Sequence, residues 1–268
     1  MPIDAKAKDI AWQLVHQDPG NKVNVMLGNF KLDQIPFLKT IYFFSKLLLP
    51  GGGRPQFFPP DLYEKLYRNQ TNEEESYSCP RRDQANLVQD WLQNKSELDQ
   101  NAAFVDNVTD LNNVDPENID YLLGLFSENH IPYIDQRDKE THPSLQDMTH
   151  KAIEILQKSK NENGFFLMVE GARIDQGHHN NWANRALEET LEFDDTIEQT
   201  LNWIKNLDET LVIVTADHSH TMSLSGYADR GADIRGLGRD NAEDGLPYAL
   251  LSYASGPSFY QHYRSMFL

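Results

Sequence analysis

The spacing of apolar residues along the chain predicts alternating helices and short buried strands. Residues 7–16 and 144–158 each place apolar side chains on one helical face, and Ser144 is positioned to cap the second of these helices. Residues 23–27 form a short apolar run typical of a buried strand. Helix, turn and strand in this order are the repeating unit of a doubly wound, mostly parallel α/β sheet flanked by helices.

Two further apolar runs predict strands. Residues 164–169 have the length of a buried strand, and residues 211–214 form a β-branched run typical of a strand buried on both faces. Between them, residues 182–207 have apolar side chains at helical spacing, which predicts a long amphipathic helix. Earlier in the chain, residues 118–126 also show helical spacing, and residues 104–105 indicate a brief strand. The pattern therefore predicts an α/β protein.

The acids and histidines that follow the two later strands are the candidate chemistry of the chain. Glu170, Asp175 and His179 come after the first run, and Asp217 and His218 come directly after the second. The carboxyl ends of parallel strands open onto one crevice, so we expect these five side chains to converge. Carboxylates and imidazoles are the usual ligands of zinc, and the spacing of Asp175 and His179 places both on one helical face. Alternatively, Asp217 and His218 cap a following helix.

Asp194 falls on the apolar stripe of the long predicted helix. It is either an acid at the edge of the stripe or a buried carboxylate that orients a metal ligand.

Composition narrows the possible functions. The chain has 268 residues and a formal net charge of -17, and its lysines and arginines form no long run. Binding of nucleic acid through a basic face is therefore not expected. The single cysteine, Cys79, excludes a disulfide within the chain. Neither a signal peptide nor an apolar stretch of about 20 residues is visible in the sequence.

Residues 29–50 interrupt the α/β pattern. They contain an apolar cluster, residues 41–49, which has basic flanks and follows neither a helical nor a strand period. Three interpretations compete: an amphipathic surface insertion, a segment that docks a partner, or a stretch foreign to the fold.

Two sequence blocks carry a family resemblance. Val-Glu-Gly-Ala-Arg-Ile-Asp-Gln-Gly-His-His at residues 169–179 and Thr-Ala-Asp-His-Ser-His at residues 215–220 resemble signature blocks of the animal alkaline phosphatases. Residues 7–11, 120–126 and 143–145 also match, so the resemblance covers most of the chain. It implies the alkaline-phosphatase-like form of the predicted α/β fold.

The resemblance also assigns roles to the candidate ligands. It implies two zinc ions and one magnesium ion. Glu170 would bind magnesium, Asp175 and His179 would bind one zinc, and Asp217 and His218 would bind the other. His178 and His220 would have supporting or structural positions. It further implies phosphate monoesters as substrates, a homodimer, and a location outside the cell or on the outer face of the plasma membrane. Asn107, in an Asn-Val-Thr sequon, matches a glycosylation position of the family.

The sequence departs from the family pattern in its nucleophile. The family uses a serine in an Asp-Ser-Ala-like context, and no Asp-Ser-Ala occurs here, so no catalytic residue can be assigned. The block that supplies the last zinc histidine is also missing. The resemblance therefore implies that residues 1–268 are part of an alkaline phosphatase domain, incomplete at both ends. The predicted function is phosphate-monoester hydrolysis, and the alternative is a non-catalytic metal-binding fragment of such an enzyme.

Two other departures concern residues 29–50 and calcium. In the family pattern residues 25–28 join residues 51–54 almost directly, which favours an insertion foreign to the family at residues 29–50. Phe126 matches the family's calcium site, but Ser127 and His142 stand where acids are expected. These two residues weigh against a calcium ion.

Overall fold

The structure is a computed structural model that describes residues 9–28, 53–67, 81, 83–158, 164–206 and 209–254. The chain divides into two compact units, Met1–Pro132 with Gln136–Glu170, and Tyr133–Asp135 with Gly171–Leu268. The helices are α1 (Ile10–His16), α2 (Arg54–Phe57), α3 (Pro60–Tyr67), α4 (Leu87–Glu97), α5 (Val108–Asn113), α6 (Leu145–Lys158), α7 (Ala172–His179) and α8 (Ala183–Ile204). The strands are β1 (Val25–Gly28), β2 (Ala102–Val105), β3 (Tyr121–Leu125), β4 (Met222–Leu224) and β5 (Leu251–Tyr253).

The first unit is built on a parallel three-stranded sheet in the order β1-β3-β2. In the register of this sheet Val25 lies beside Leu122, and Ala103 lies beside Leu122 on the other edge. Non-consecutive neighbours in a parallel sheet require crossover connections, and helices supply them. This arrangement confirms the predicted α/β class.

Helices cover both faces of this sheet. On one face α1, α3 and α4 enclose a core around Trp91 and Leu123. On the other face α6 packs on a core around Leu122 and Phe126. Because both faces are buried, the central strand β3 is apolar along its whole length, as parallel strands usually are.

The local signal at Ser144 places the predicted start of α6 correctly. The Ser144 hydroxyl accepts a hydrogen bond from the Asp147 N–H at 3.0 Å, and the Asp147 carboxylate accepts one from the Ser144 N–H at the same distance. This reciprocal pair caps α6. The helix α1 begins at Ile10, later than the predicted start at residue 7, because the Asp9 carboxylate accepts a hydrogen bond from the Trp12 N–H and caps the helix there.

The helical prediction for residues 118–126 is wrong. A short 3-10 turn, Pro116–Asn118, precedes β3, and the chain then runs as a strand. A short apolar run has the same appearance in a buried strand and in a buried helix, and tertiary pairing decides between them. A side chain at position 124 would clash with its neighbours, because a Cβ there would lie 2.6 Å from Leu27 Cδ2 and 2.7 Å from Phe126 Cζ. Glycine avoids this clash and lets the strand pack closely.

The predictions of buried strands at residues 164–169 and 211–214 are also wrong. Residues 164–169 run without strand pairing. Phe165, Leu167 and Val169 are partly buried against the core around Leu122 and Phe126, whereas Phe166 is exposed. Residues 211–214 are exposed and form no strand. A strand needs hydrogen-bonding neighbours, and the described residues provide none for these two runs.

The second unit contains α7, α8 and the antiparallel pair β4-β5. Gly177 lies in the last turn of α7, where a Cβ would come within 2.9 Å of the Ala186 nitrogen, so glycine permits close packing of the two helices. Among the helices that the structure describes, none is long and apolar enough to cross a membrane. The proposed insertion at residues 29–50 lies outside the described residues.

Candidate metal centre

Two segments of the second unit bring together most of the predicted ligands. The helix α7 carries Asp175 and His179 one turn apart, so both side chains leave the same face. The segment that follows residues 211–214 carries Asp217, His218 and His220 into β4. Asp175, His218 and His220 each offer a ligand atom, and these atoms all lie within 4.8 Å of one another.

Asp175 is the centre of this cluster. Its Oδ1 lies 2.7 Å from His220 Nε2 and 3.6 Å from His218 Nε2, and its Oδ2 lies 3.5 Å from His179 Nε2. The side chain of His220 is 17% exposed, whereas those of His179 and His218 are 68% and 52% exposed. The cluster therefore has one shielded imidazole and two that are open to solvent.

The short contact between His220 and Asp175 fixes a proton. An ionised carboxylate only accepts hydrogen bonds, so His220 donates from Nε2–H. The Nε2 atom of His220 is then not available to a metal, and its hydrogen bond holds the Asp175 carboxylate in place. Histidine–carboxylate pairs of this kind commonly orient metal ligands.

The hydrogen bonds of His218 favour the opposite arrangement. Its Nδ1 lies 3.2 Å from the Ser219 carbonyl oxygen, and because a carbonyl only accepts, the proton belongs on Nδ1. The Nε2 atom of His218 faces Asp217 Oδ2 at 3.4 Å and Asp175 Oδ1 at 3.6 Å. A cation bound at Nε2 would therefore lie within reach of both carboxylate oxygens.

The donor set and its spacing fit zinc. In a tetrahedral site with bonds of about 2.0–2.2 Å, neighbouring ligand atoms are about 3.3–3.6 Å apart. The pair Asp175 and His179 has a separation of 3.5 Å, and the pair Asp217 and His218 has one of 3.4 Å. Imidazole nitrogens combined with carboxylate oxygens are suitable ligands for this metal.

The remaining predicted site residues lie as follows. Glu170 is the last residue of the first unit and is exposed. The Asp217 side chain is 87% exposed. Asp194 lies in α8, is exposed and is not part of the cluster, which favours the stripe-edge interpretation over a buried orienting carboxylate.

Sequence reasoning missed the partner of His178. Its Nδ1 lies 2.8 Å from the hydroxyl oxygen of Tyr253 on β5, and its ring stacks on that of His220 with centroids 4.8 Å apart. Burial lowers the pKa of His178, and the nearby His220 lowers it further. Tyr253 follows the site blocks by more than thirty residues, and no spacing in the sequence connects it to His178.

Asn107, the glycosylation candidate, caps α5. Its side-chain oxygen accepts a hydrogen bond from the Asp110 N–H at 2.8 Å. Its Nδ2 donates to the carboxylates of Asp106 and Asp110. A glycan attached to Nδ2 would replace one of these two donor hydrogens.

The parallel sheet with helices on both faces and the Asp–His cluster together define an α/β protein with a candidate divalent-metal site. A sequence model described as alkaline phosphatase matches residues 40–266. The chain belongs to the alkaline phosphatase family.

Two relatives with similar sequences agree with this assignment. The chain is 40% identical over 257 residues to alkaline phosphatase 4 of Drosophila melanogaster. The matched region covers 95% of the chain and 38% of that protein. It is 37% identical over 252 residues to a membrane-bound alkaline phosphatase of Bombyx mori. This matched region covers 94% of the chain and 40% of that protein. A crystal structure of Thermus thermophilus alkaline phosphatase aligns with 55% of this chain and 30% of its own, with 29% identity and a TM-score of 0.47. The chain thus spans about two fifths of the length of the curated relatives.

Proposed function

We propose that this chain supplies metal ligands to a phosphate-monoester hydrolase. The observation that carries the proposal is the pair of Asp–His sets, Asp175 with His179 and Asp217 with His218, at the ligand spacing of zinc in a member of the alkaline phosphatase family. Phosphate monoesters are the proposed substrates. Glycosylation, dimerisation and location outside the cell are proposed separately, because they rest on the resemblance.

In this proposal each Asp–His set holds one zinc ion, and Glu170 holds one magnesium ion. Two such cations would stabilise the attacking and leaving oxygens of a phosphoryl transfer. The chain's own residues prepare the ligands: His220 donates to Asp175 and orients its carboxylate, and the Ser219 carbonyl holds the His218 proton on Nδ1. The nucleophile is not proposed, because the sequence contains no Asp-Ser-Ala.

Metal binding tests the site directly. We expect the full chain to bind two zinc ions after dialysis against excess zinc, and His218→Ala to bind one fewer. His150→Ala removes an exposed histidine of α6 in the first unit and is the matched control, which should keep both ions. Metal analysis of the dialysed proteins measures the stoichiometry. Equal zinc contents in His218→Ala and in the control would contradict the assignment.

Hydrolysis is the second test, and it separates two candidate functions. Release of nitrophenol from p-nitrophenyl phosphate, dependent on zinc and lost in His218→Ala, supports a hydrolase. Zinc binding without turnover supports the second candidate, a non-catalytic metal-binding chain, which the lack of an Asp-Ser-Ala nucleophile favours. Loss of both zinc binding and turnover in the wild-type chain would contradict both candidates.

The other family properties are proposed with their own measurements. A location on the outer face of the plasma membrane rests on the resemblance, and surface labelling of intact cells tests it. The Bombyx mori relative, which is described as membrane-bound, supports only the association with a membrane. Glycosylation at Asn107 is tested by peptide mass spectrometry before and after enzymatic deglycosylation of protein from a secretory host. Homodimerisation is tested by light scattering of the same protein. An unmodified Asn107 peptide, an unlabelled protein or a monomeric mass would each contradict the corresponding proposal.

A further inference from the structure

The carboxyl end of β3 is occupied by a buried cation that belongs to the chain itself. Arg54 is 4% exposed, its Nε donates to the Leu125 carbonyl at 2.9 Å, and its Nη2 donates to the Phe126 carbonyl. The guanidinium also stands 4.5 Å from the centroid of the Tyr67 ring. These are the contacts expected of a desolvated guanidinium, which presents several donors in one plane and stacks on aromatic rings.

The next carbonyl is occupied as well. Ser127 O accepts hydrogen bonds from the Gly53 and Arg54 N–H groups at 3.1 and 3.3 Å. Gly53 has a φ of 107°, a conformation that glycine adopts readily, and it directs its N–H to this oxygen. Residues 53 and 54 therefore occupy three successive carbonyls at the end of β3.

The acids near Arg54 already have partners. Asp106 accepts hydrogen bonds from the Tyr67 hydroxyl at 2.7 Å and from Asn107 Nδ2 at 3.0 Å. Glu128 shares a hydrogen bond with Tyr63, and burial raises the pKa of Glu128. The two negative charges stabilise the buried Arg54, since both raise its pKa against the larger lowering by burial.

The position of the family's calcium site does not fit calcium in this chain. Calcium takes six to eight oxygen ligands, several of them carboxylates. Here the Phe126 carbonyl accepts from Arg54, the Ser127 hydroxyl donates to the His130 carbonyl at 2.8 Å, and His142 Nδ1 lies 2.8 Å from the Thr141 hydroxyl oxygen. Burial lowers the pKa of His142 and the charge of Arg54 lowers it further, so the side chain is neutral and offers no carboxylate oxygen.

We infer that Arg54 supplies the cation at the end of β3 and that the chain binds no calcium at Phe126, Ser127 and His142. The inference goes beyond the proposed hydrolase function and does not depend on it. A calcium ion at the Phe126 carbonyl would have to displace the Arg54 guanidinium or stand beside its positive charge.

Calcium binding to the full chain tests whether Phe126, Ser127 and His142 hold a calcium ion. The chain is first saturated with zinc and magnesium, so that calcium does not enter those sites, and is then dialysed against about 1 mM radioactive calcium, within the range of weak extracellular sites. We expect the wild-type chain to retain no more calcium than a double variant, Ser127→Ala with His142→Ala. About one calcium ion per chain that is lost in the double variant would overturn the inference.

The stability of the folded chain tests whether Arg54 supplies the cation at the end of β3. We expect Arg54→Gln to unfold at a lower guanidinium concentration than the wild type, and about 1 mM calcium to leave that midpoint unchanged. Tryptophan fluorescence follows the transition, since Trp91 lies in the core of the same unit. Restoration of the wild-type midpoint by calcium, or a wild-type midpoint in Arg54→Gln without calcium, would overturn the inference.

Discussion

At the scale of the residue, the site depends on where single protons lie. His218 and His220 are two positions apart, yet the Ser219 carbonyl holds the proton of His218 on Nδ1, and Asp175 holds that of His220 on Nε2. One imidazole is thereby prepared to bind a metal and the other to orient a ligand. The sequence motif alone does not distinguish these roles, because both residues are histidine.

His220→Ala tests the orienting role. We expect the variant to keep both zinc ions but to bind one of them about 10–100-fold more weakly, because Asp175 loses the hydrogen bond that fixes its carboxylate. Competition with a chromogenic zinc chelator measures the affinity, with His150→Ala as the control. Complete loss of one zinc ion would mean that His220 is itself a ligand. An unchanged zinc affinity would contradict the orienting role of His220.

At the scale of the element, α4 contains a charged residue on its buried face. Leu87, Val88 and Trp91 are buried, and Lys95 continues the same buried stripe. The Lys95 ammonium donates to the Asn21 carbonyl and lies 3.8 Å from the centroid of the Tyr121 ring. Lysine is rarely buried so completely, so no sequence rule would place it there.

This buried ammonium makes the stability of the chain depend on pH. Burial lowers the pKa of Lys95 from 10.5 to about 8, so the folded protein releases this proton before the unfolded chain does. Between pH 8 and pH 10.5 the unfolded state binds more protons, and the free energy of unfolding rises with pH. The rise is at most roughly 3 to 4 kcal/mol, since one pKa unit corresponds to about 1.4 kcal/mol.

Lys95→Met is the test. We expect the wild-type unfolding midpoint in guanidinium to increase from pH 7 to pH 9.5 relative to that of Lys95→Met, which has no ammonium to release. Lys22→Met removes a lysine that is 69% exposed, and it should keep the wild-type pH dependence. The same pH dependence in Lys95→Met and in the wild type would contradict the assignment.

At the scale of the whole molecule, apolar exposure is concentrated in the second unit. Leu211 is 82% exposed and Ile213 is 76% exposed, and Leu224 and Tyr227 are 70% and 96% exposed. Contiguous exposed apolar residues with unpaired strand character favour association. The first unit, by contrast, encloses two apolar cores on the two faces of its sheet.

We therefore expect the 268-residue chain to associate in solution when it is expressed alone. Replacing Leu211 and Ile213 with lysine should increase the monomer fraction, because it adds charge to the exposed run. Leu66→Lys, at a 50% exposed position of α3, is the matched control and should leave the monomer fraction unchanged. Size-exclusion chromatography with light scattering measures the monomer. A monomeric wild-type chain with one sharp cooperative melt would contradict this expectation.

The sequence by itself determined the family, the α/β class, the capped helix α6 and the residue types of the candidate metal site. These features depend on local patterns: Ser144 caps α6 through its own neighbours, and the site blocks lie in two short stretches of chain. Tertiary structure decided that residues 121–125 are a strand, that Asp194 is exposed, and that Tyr253 meets His178. It also decided that residues 211–214 have no strand partner among the described residues. The physical reason is that strand pairing and burial depend on residues distant in sequence, which a periodic pattern does not specify.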